Sequence, residues 1–521
     1  ASRELFTKAL SQFEPEKHQA GSYLALAGVL ESISMEMDDF TLLDPWIAKY
    51  DQLRATLGPV QKKGVELWLT PAVIGALVMR RPDHPGLSEW IGKGLEILRT
   101  ASNAAPGMRI FLSLLLLRIL QGDLVAARNL IDVHRNIIHE EVSPFGALIF
   151  YGLHSFHSWL EGRFHECMQI AETAVRLEKQ SGIRWIYLHF HGAVGAMGAG
   201  NLNRAGQMIE SAIPLLPGFG SWGVAFYHVI SGWLMLMKED AAGVKYHASE
   251  GLKAGKRAGC PLTLPVNHLL CALSEHLSHE SANAEAHLET ALELSRRAHA
   301  RQVAFGCHLV KAEIALADGD QNRLNQALED AFALGREKRY VNSYFCRPKV
   351  MAALCAEALK RGIEVDYARF LVKQRRLVPP VPPRRFERWP WPFRIRCLGG
   401  FSLDIQEEPL LFSGKTQRRP LSILKYLVAK GGRSVSAARM QDDLWPDTDG
   451  DRAFISFKTT LHRLRKLLGE DGAILLKSGT LSFNEYQCWN DVWAFEDLSQ
   501  EMEALLTQAS EAGHHFIGRI E

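Results

Sequence analysis

The stretch EGRFHECMQIAETAV, residues 161–175, follows an apolar helical run, passes through a glycine turn and continues as a second amphipathic helix carrying small residues. The same grammar recurs at QGDLVAARNLI (121), AGNLNRAGQMIESAI (199), EDAAGVKYHASEGL (239), ESANAEAHLETALEL (280) and DGDQNRLNQALEDAF (318), with successive starts 40, 38, 40, 41 and 38 residues apart. Weaker members near Pro45 and Pro85 extend the series backward. A helix pair cannot bury its own apolar face and needs neighbours on both sides, so a fixed period of this kind means stacked pairs. The expected product is an α-superhelix over residues 1–365, with Ala205, Ala286 and Ala291 as small residues where helices approach closely.

The composition is that of a globular chain: of 521 residues, 47% are hydrophobic and 23% charged, with a net charge of +2. The longest apolar run, IFLSLLLLRIL at 110–120, is interrupted by Arg118 and falls short of a membrane span of about 18 residues, so a soluble, cytoplasmic protein with no membrane contact is expected. The first residue is Ala1 rather than methionine, which suggests a processed chain or a piece of a longer one. Eight cysteines (167, 260, 271, 307, 346, 355, 397 and 488) include no C-x-x-C pair and read as free thiols. HECMQ at 165–169 only imitates the start of an H-E-x-x-H zinc motif, and neither a metal nor another cofactor is expected.

The composition changes at residue 373. KQRRLVPPVPPRRFERWPWPFRIR (373–396) holds six prolines and eight basic residues against one acid, Glu387, and reads as a basic Pro-rich linker assigned to 366–392. Residues 373–480 carry 21 Lys/Arg and 11 Asp/Glu, a net of +10, whereas 1–372 sum to −1 and 481–521 to −7. Positive charge concentrated in one small region points to a polyanion partner. FRIRCLGGFSLDI (393–405) alternates like strands and PLLF (409–412) suggests another. QRRPLSILKYLVAKGG reads as a helix with Pro420 in its first turn and Gly431-Gly432 at its end. SVSAARMQDDLWP gives a short helix capped by Ser434 or Ser436, and DGDRAFISFKTTLHRLRKLLG a longer one ending at Gly469. AILLKSGTLSFN closes the region as a hairpin through Ser478-Gly479.

On the longer helix Phe457, Leu461, Leu464 and Leu468 form an inward stripe, which leaves Ser456, Thr459, Arg463 and Lys466 on a polar strip with Lys458, His462 and Arg465 beside it. LLFSGKTQRR (410–419) resembles the tail of a phosphate loop, but Pro409 stands where the loop needs a glycine, so no nucleotide site and no enzymatic activity are expected.

The repeat region resembles tetratricopeptide-like arrays of the longer-period kind found in the sensor region of MalT-like regulators. GRSVSAARMQDDLWPD followed by LHRLRKLLG resembles the OmpR-type winged helix of the bacterial transcriptional activator (antibiotic regulatory protein) family. NDVWAFEDL (490–498) looks like the opening of that family's helical activation domain, expected over 486–521 in shortened form. The resemblance implies a mainly α chain, in which a tetratricopeptide-like α-superhelix (1–365) is followed by a small α+β winged-helix domain (393–485). It further implies a DNA-binding transcriptional regulator, an activator in most of the family, with double-stranded DNA and RNA polymerase as partners and head-to-tail dimers on direct repeats. MalT-like activators often carry a nucleotide-binding switch before the repeats; no matching phosphate loop is present in these 521 residues.

Lys458, Thr459, His462, Arg463 and Lys466 would then face the major groove, Lys477 the minor groove or a phosphate, and Lys415, Arg418 and Arg419 the DNA backbone. The alternative is a non-catalytic scaffold whose winged domain docks a protein. For the input side, amphipathic rings on consecutive first helices suggest a pocket for a small molecule or partner protein at Trp185, His189, His191, Tyr227 and His154.

Overall fold

The computed structural model describes all residues except 1, 102–104, 141–142, 380, 385, 411–417, 470–471 and 518–521, together with the backbone alone of 100–101, 105, 135–140, 418 and 508–517. The chain divides into two bodies, Ala1–Arg347 and Pro348–Glu521.

In the first body, α1 (Ser2–Phe13) precedes an alternation of first and second helices. The first helices are α2 (Gln19–Glu36), α4 (Lys63–Arg80), α6 (Ala105–Gln121), α8 (Pro144–Leu160), α10 (Tyr187–Gly198), α12 (Ser221–Met237), α14 (Leu264–Leu277) and α16 (Arg301–Asp318). The second helices are α3 (Asp44–Leu57), α5 (Leu87–Ala101), α7 (Leu124–Glu140), α9 (Phe164–Ser181), α11 (Leu202–Ala212), α13 (Ala241–Ala258), α15 (Ser281–Arg297) and α17 (Gln321–Lys338).

The recurring turn residues have distinct jobs. Gly122, Gly162, Gly200 and Gly319 take φ between 73° and 80°, a conformation that side chains disfavour. The Asn or Asp that directly follows Gly200, Gly319 and, in the 239 turn, Glu239 (φ 61°) caps the second helix: Asn201 accepts from the Arg204 N–H, Asp240 from Gly243 and Asp320 from Asn322 and Arg323. Small residues such as Ala171, Ala174, Ala205 and Ala291 are wholly buried where second helices meet their partners. Ala286 is not among them. On α15 the buried positions are Ala284, Leu288, Ala291 and Ser295, so residue 286 falls on the exposed face.

The superhelix turns back far enough to touch itself. The Asp38 carboxylate accepts from the Ser221 N–H (2.9 Å) and hydroxyl (2.5 Å) at the start of α12, and the Trp222 N–H donates to the Met37 carbonyl (3.1 Å). Farther along, Arg80 donates to the Gly259 carbonyl (2.8 Å), Tyr340 to that of Gly122 (3.0 Å) and Asn342 to that of Trp159 (3.0 Å). These contacts join segments about 180 to 220 residues apart and fix the curvature of the array.

The second body begins with α18 (Pro348–Arg361) and α19 (Val365–Arg375), which the sequence reading placed with the repeats and the linker. Arg369 and Lys373 of α19 pair with Glu407, which attaches this helix to the strands that follow. The Pro-rich stretch is likewise packed rather than a free spacer. Trp389 and Trp391 are 3% and 1% exposed, the Trp489 indole donates to the Arg384 carbonyl (2.8 Å), and Arg384 pairs with Glu485.

A four-stranded sheet, ordered β3-β2-β1-β7, joins β1 (Phe393–Arg396), β2 (Ser402–Ile405) and β3 (Glu408–Pro409) to β7 (Cys488–Asn490), which runs parallel to β1 with Phe393 opposite Cys488. Three helices follow: α20 (Arg418–Ala429), α21 (Ala437–Leu444) and α22 (Gly450–Leu468). Ser436, not Ser434, caps α21 by accepting from Arg439 N–H. A second sheet, β4-β6-β5, carries the hairpin of β5 (Ile474–Lys477) and β6 (Thr480–Phe483) on the short β4 (Val435–Ser436). Ser478 and Gly479 both have positive φ, 48° and 76°, as a two-residue hairpin turn of matching twist requires. α23 (Asp491–Ile517) ends the described chain. The core gathers Phe393, Ile395 and Leu403 of the first sheet, Leu424 and Leu427 of α20, the α22 stripe Phe457, Leu461, Leu464 and Leu468, and Leu481 and Phe483 of the hairpin.

Candidate functional sites

Six first helices of the first body, α2, α4, α6, α8, α10 and α12, face a common cavity of ≈ 750 Å³. Its wall is apolar and rich in flexible or aromatic side chains: Met35, Met79 and Met108 from the N-terminal repeats, then Phe145, Phe156, Trp185, Tyr187, Trp222 and Phe226. Met37, from the loop seated on α12, completes the wall. The rings are fitted to one another: Trp185 meets Phe145 edge-on at 5.5 Å, and His191 stacks on Phe156 at 4.9 Å.

Of the ring residues singled out from sequence, the structure places Trp185 and His191 in this wall, whereas His154, His189 and Tyr227 lie outside it. Residues two apart on a helix point to opposite sides, so His189 and His191 of α10 cannot share a face. His189 bridges helices instead. Its Nδ1 meets Ser211 Oγ at 2.7 Å and its Nε2 meets Glu178 Oε2 at 3.0 Å, while Glu178 also accepts from the Trp185 N–H. Burial pushes the Glu178 carboxyl upward, but these hydrogen bonds more than offset it and leave its pKa below the usual range. His154 turns toward Glu166 on α9 (3.7 Å), and Tyr227 packs between Phe190 and the His228–His247 pair. Sequence reading missed the methionines and the Glu31–Arg109 ion pair, because the N-terminal repeats show the weakest periodicity.

Three buried histidines, His191, His228 and His268, are held neutral. Burial pushes His191 down to about 3; the Gly152 carbonyl nearby raises it slightly, but the pair lacks hydrogen-bond geometry and Nδ1 stays without a partner. His228 and His268 go down to about 4 through burial and then through the neighbouring His247 and His287, each meeting its partner Nδ1 to Nδ1 at 2.9 Å. An unfolded histidine titrates near 6.5, so between there and pH 3–4 the unfolded chain binds more protons and stability falls as pH falls. At pH 5 His191 alone costs about 2 kcal/mol. The expected result is a lower melting temperature at pH 5 than at pH 7, with a smaller difference in His191→Phe; an equal difference in that variant would show that His191 does not titrate as described.

In the second body α22 presents Lys458, Thr459, His462, Arg463 and Lys466 to solvent, and Lys477 is exposed at the end of β5. Arg419 is exposed at the start of α20; Lys415 and the Arg418 side chain lie outside the described residues. The Thr459 hydroxyl donates to the Ile455 carbonyl (2.9 Å), leaving its lone pairs and methyl outward, and Lys458 lies 4.3 Å over the Phe454 ring. Phe454 and Ile455 are 45% and 63% exposed on this same surface, an apolar element that the basic pattern concealed.

Arg465, grouped with the outward cations from sequence, is structural. Its guanidinium donates twice to the Ile474 carbonyl (3.1 and 2.7 Å) and ties α22 to the hairpin. Arg465→Ala should therefore destabilise the second body by about 1.5–3 kcal/mol, the usual worth of hydrogen bonds from a charged group. Denaturant unfolding of the variant checks this, and a loss below about 0.5 kcal/mol would return Arg465 to the solvent-facing set.

Among the described residues, no group of three or more His, Cys, Asp or Glu is placed to hold a metal ion, and no helix is long and apolar enough to cross a membrane. Six of the eight cysteines are buried.

No family model matches the chain. Among curated proteins it is similar to the regulatory protein AfsR of Streptomyces griseus, 32% identical over 94 residues, which are 18% of this chain and 9% of that protein. The chain thus spans under a tenth of that relative's length. Solved structures similar to it include a Rap protein complexed with competence and sporulation factor (10% identity, 67% of this chain and 98% of that one, TM-score 0.47) and the apo form of RapI (11%, 71% and 98%, 0.35). A human IFIT1 dimer is similar at 12% identity over 71% of this chain and 83% of that one, with a TM-score of 0.39.

Proposed function

We propose that the chain is a DNA-binding transcriptional regulator, in which the second body is an OmpR-type winged helix and the first body its sensor. The observation that carries this reading is the division of α22: Phe457, Leu461, Leu464 and Leu468 enter the core, while Lys458, Thr459, His462, Arg463 and Lys466 share its exposed side. A helix so divided suits the major groove, with Thr, His and Arg reaching base edges, Lys reaching phosphates and Ile455 available to a thymine methyl. The net charge of +10 over residues 373–480 and the exposed Lys477 on the hairpin support it. So does the stretch shared with a regulatory protein. RNA polymerase is the natural further partner of an activator, with dimers on direct repeats and a cytoplasmic location; no enzymatic activity is assigned.

A second reading, protein docking by the second body, is favoured by one feature. α23 exposes Phe495, Leu498, Met502, Leu505 and Leu506, each more than half accessible. A gel-shift titration of the full chain on genomic fragments, repeated from low to moderate salt, separates the two. Binding through several cations weakens steeply with salt. No shifted fragment at low salt would remove the DNA-binding reading.

A further inference from the structure

The cavity in the first body is built for a ligand of definable chemistry, and three observations limit it. The first is enclosure. Met37 and Trp222 both line the cavity, and the backbone of one is hydrogen-bonded to the backbone of the other across 185 residues of chain (3.1 Å), so the wall is continuous at this point, where an open solenoid would leave a gap, while the cavity stays open on another side. A volume of ≈ 750 Å³ lies within the usual range of small-molecule sites.

The second is the scarcity of polar partners. Each peptide unit brings a donor and an acceptor that must be satisfied when buried. The wall is mostly methionine, leucine, phenylalanine and tryptophan; of its uncharged polar side chains Ser34 is hydrogen-bonded to the Leu30 carbonyl and Ser143 to the Gly146 N–H, so Ser113, Tyr187 and His191 are few partners for a peptide, whereas methionines adapt readily to an apolar shape.

The third is charge. The cationic and anionic side chains in the wall, Arg109 and Glu31, are paired with each other, and the Arg109 guanidinium also lies 5.9 Å from the Trp68 ring. Both are only about a quarter exposed, 27% and 28%. A charged ligand would have to break this pair or be buried without a counterion, and either is costly. His191 supplies no charge near neutrality, and its buried Nδ1 has no hydrogen-bond partner, so the wall includes an unmet hydrogen-bonding group.

We propose that this cavity binds one uncharged, predominantly apolar small molecule carrying a hydrogen-bonding group, rather than a peptide or an organic anion. The proposal rests on the sensor reading only for its regulatory meaning; binding itself can be measured without DNA.

The experiment uses the full chain and two dyes that differ by a charge, N-phenylnaphthylamine and anilinonaphthalenesulfonate. The uncharged dye should saturate at one per chain, accept excitation energy from Trp185 and Trp222, and bind about tenfold or more tightly than its sulfonate. Gly75 lines the cavity from α4, and a Cβ there would meet nothing within 4 Å. Gly75→Phe should therefore fill the cavity without displacing neighbours, weaken dye binding about tenfold or more and leave the melting temperature unchanged or higher. Gly75→Leu serves in the same way should the larger ring disturb folding. No saturable binding of the uncharged dye, tighter binding of the sulfonate, its displacement by short peptides, or normal binding in a folded Gly75 variant would each overturn the proposal. DNA binding measured on the same samples fails or survives separately.

Discussion

Gly220→Val should open the closure of the superhelix and destabilise the first body by about 2.5–6 kcal/mol, through overpacking of about 1–3 and broken charge-assisted hydrogen bonds of about 1.5–3. A Cβ at residue 220 would stand 2.5 Å from the Met37 carbonyl oxygen and 2.6 Å from the Asp38 Cα. Both are backbone atoms, so nothing flexible can yield. The backbone of Gly220 itself is extended (φ −69°, ψ −173°) and would accept valine, which isolates the effect to the contact across the closure.

Moving the Met37–Asp38 loop away would also strip the Ser221 N–H and hydroxyl from Asp38, whose carboxylate lies at the positive end of α12 and is held below the usual pKa by those two bonds. Asp38→Ala removes the Ser221 hydrogen bonds and the Arg257 ion pair without overpacking and should cost less. Gly218→Ala, where a Cβ meets nothing within 4 Å, should be silent. Differential scanning calorimetry of the three variants decides; a Gly220→Val protein melting with the parent would mean that the two ends of this contact do not meet in solution.

That closure shows what could be read from sequence and what could not. The period of about 39 residues gave the helix pairs and their turns, because each turn is local: a residue with positive φ, glycine at 122, 162, 200 and 319 and Glu239 or His279 in the other two, followed in most of them by an Asn or Asp cap. Closure depends on a small rotation summed over many repeats, and Gly220 and Asp38 carry no mark of it in their own neighbourhoods. The cavity was half legible for a related reason. Aromatic residues on consecutive first helices pointed to the right helices, but the choice among them needed the helical phase, which puts His191 in the wall and His189 on Glu178.

In the second body, the hairpin at Ser478-Gly479 and the α22 stripe followed from local patterns. The Pro-rich stretch did not, since composition marks a spacer whereas burial of Trp389 and Trp391 is decided by the sheet and helices they meet. Arg465 was indistinguishable from Arg463 in sequence. Only the position of the Ile474 carbonyl separates a hairpin tether from an exposed cation.

The exposed cations of α22 should divide into two kinds when replaced. Arg463→Ala is expected to weaken binding to the best genomic fragment by about 1–3 kcal/mol, a factor of roughly 5 to 150, and to flatten the preference among fragments, as removal of a base-reading group does. Thr459→Ala and His462→Ala should shift that preference with smaller losses. Lys466→Ala and Lys477→Ala should instead weaken all duplexes about equally, each lowering the slope of log affinity against log salt by about 0.9 for every phosphate left without its cation. The difference has a structural basis. All of these residues are exposed, but Thr459, His462, Arg463 and Lys466 share one side of α22, with the lysine in its last turn and Lys477 on the hairpin. The first three therefore occupy the middle of a surface whose margins are cationic, the arrangement in which central residues read bases and marginal ones hold the backbone. Denaturant unfolding must first show each variant as stable as the parent, which is expected because none of the five side chains is buried. If Arg463→Ala leaves both affinity and fragment preference unchanged at moderate salt, α22 is not the reading helix, and the apolar side of α23 becomes the surface to pursue.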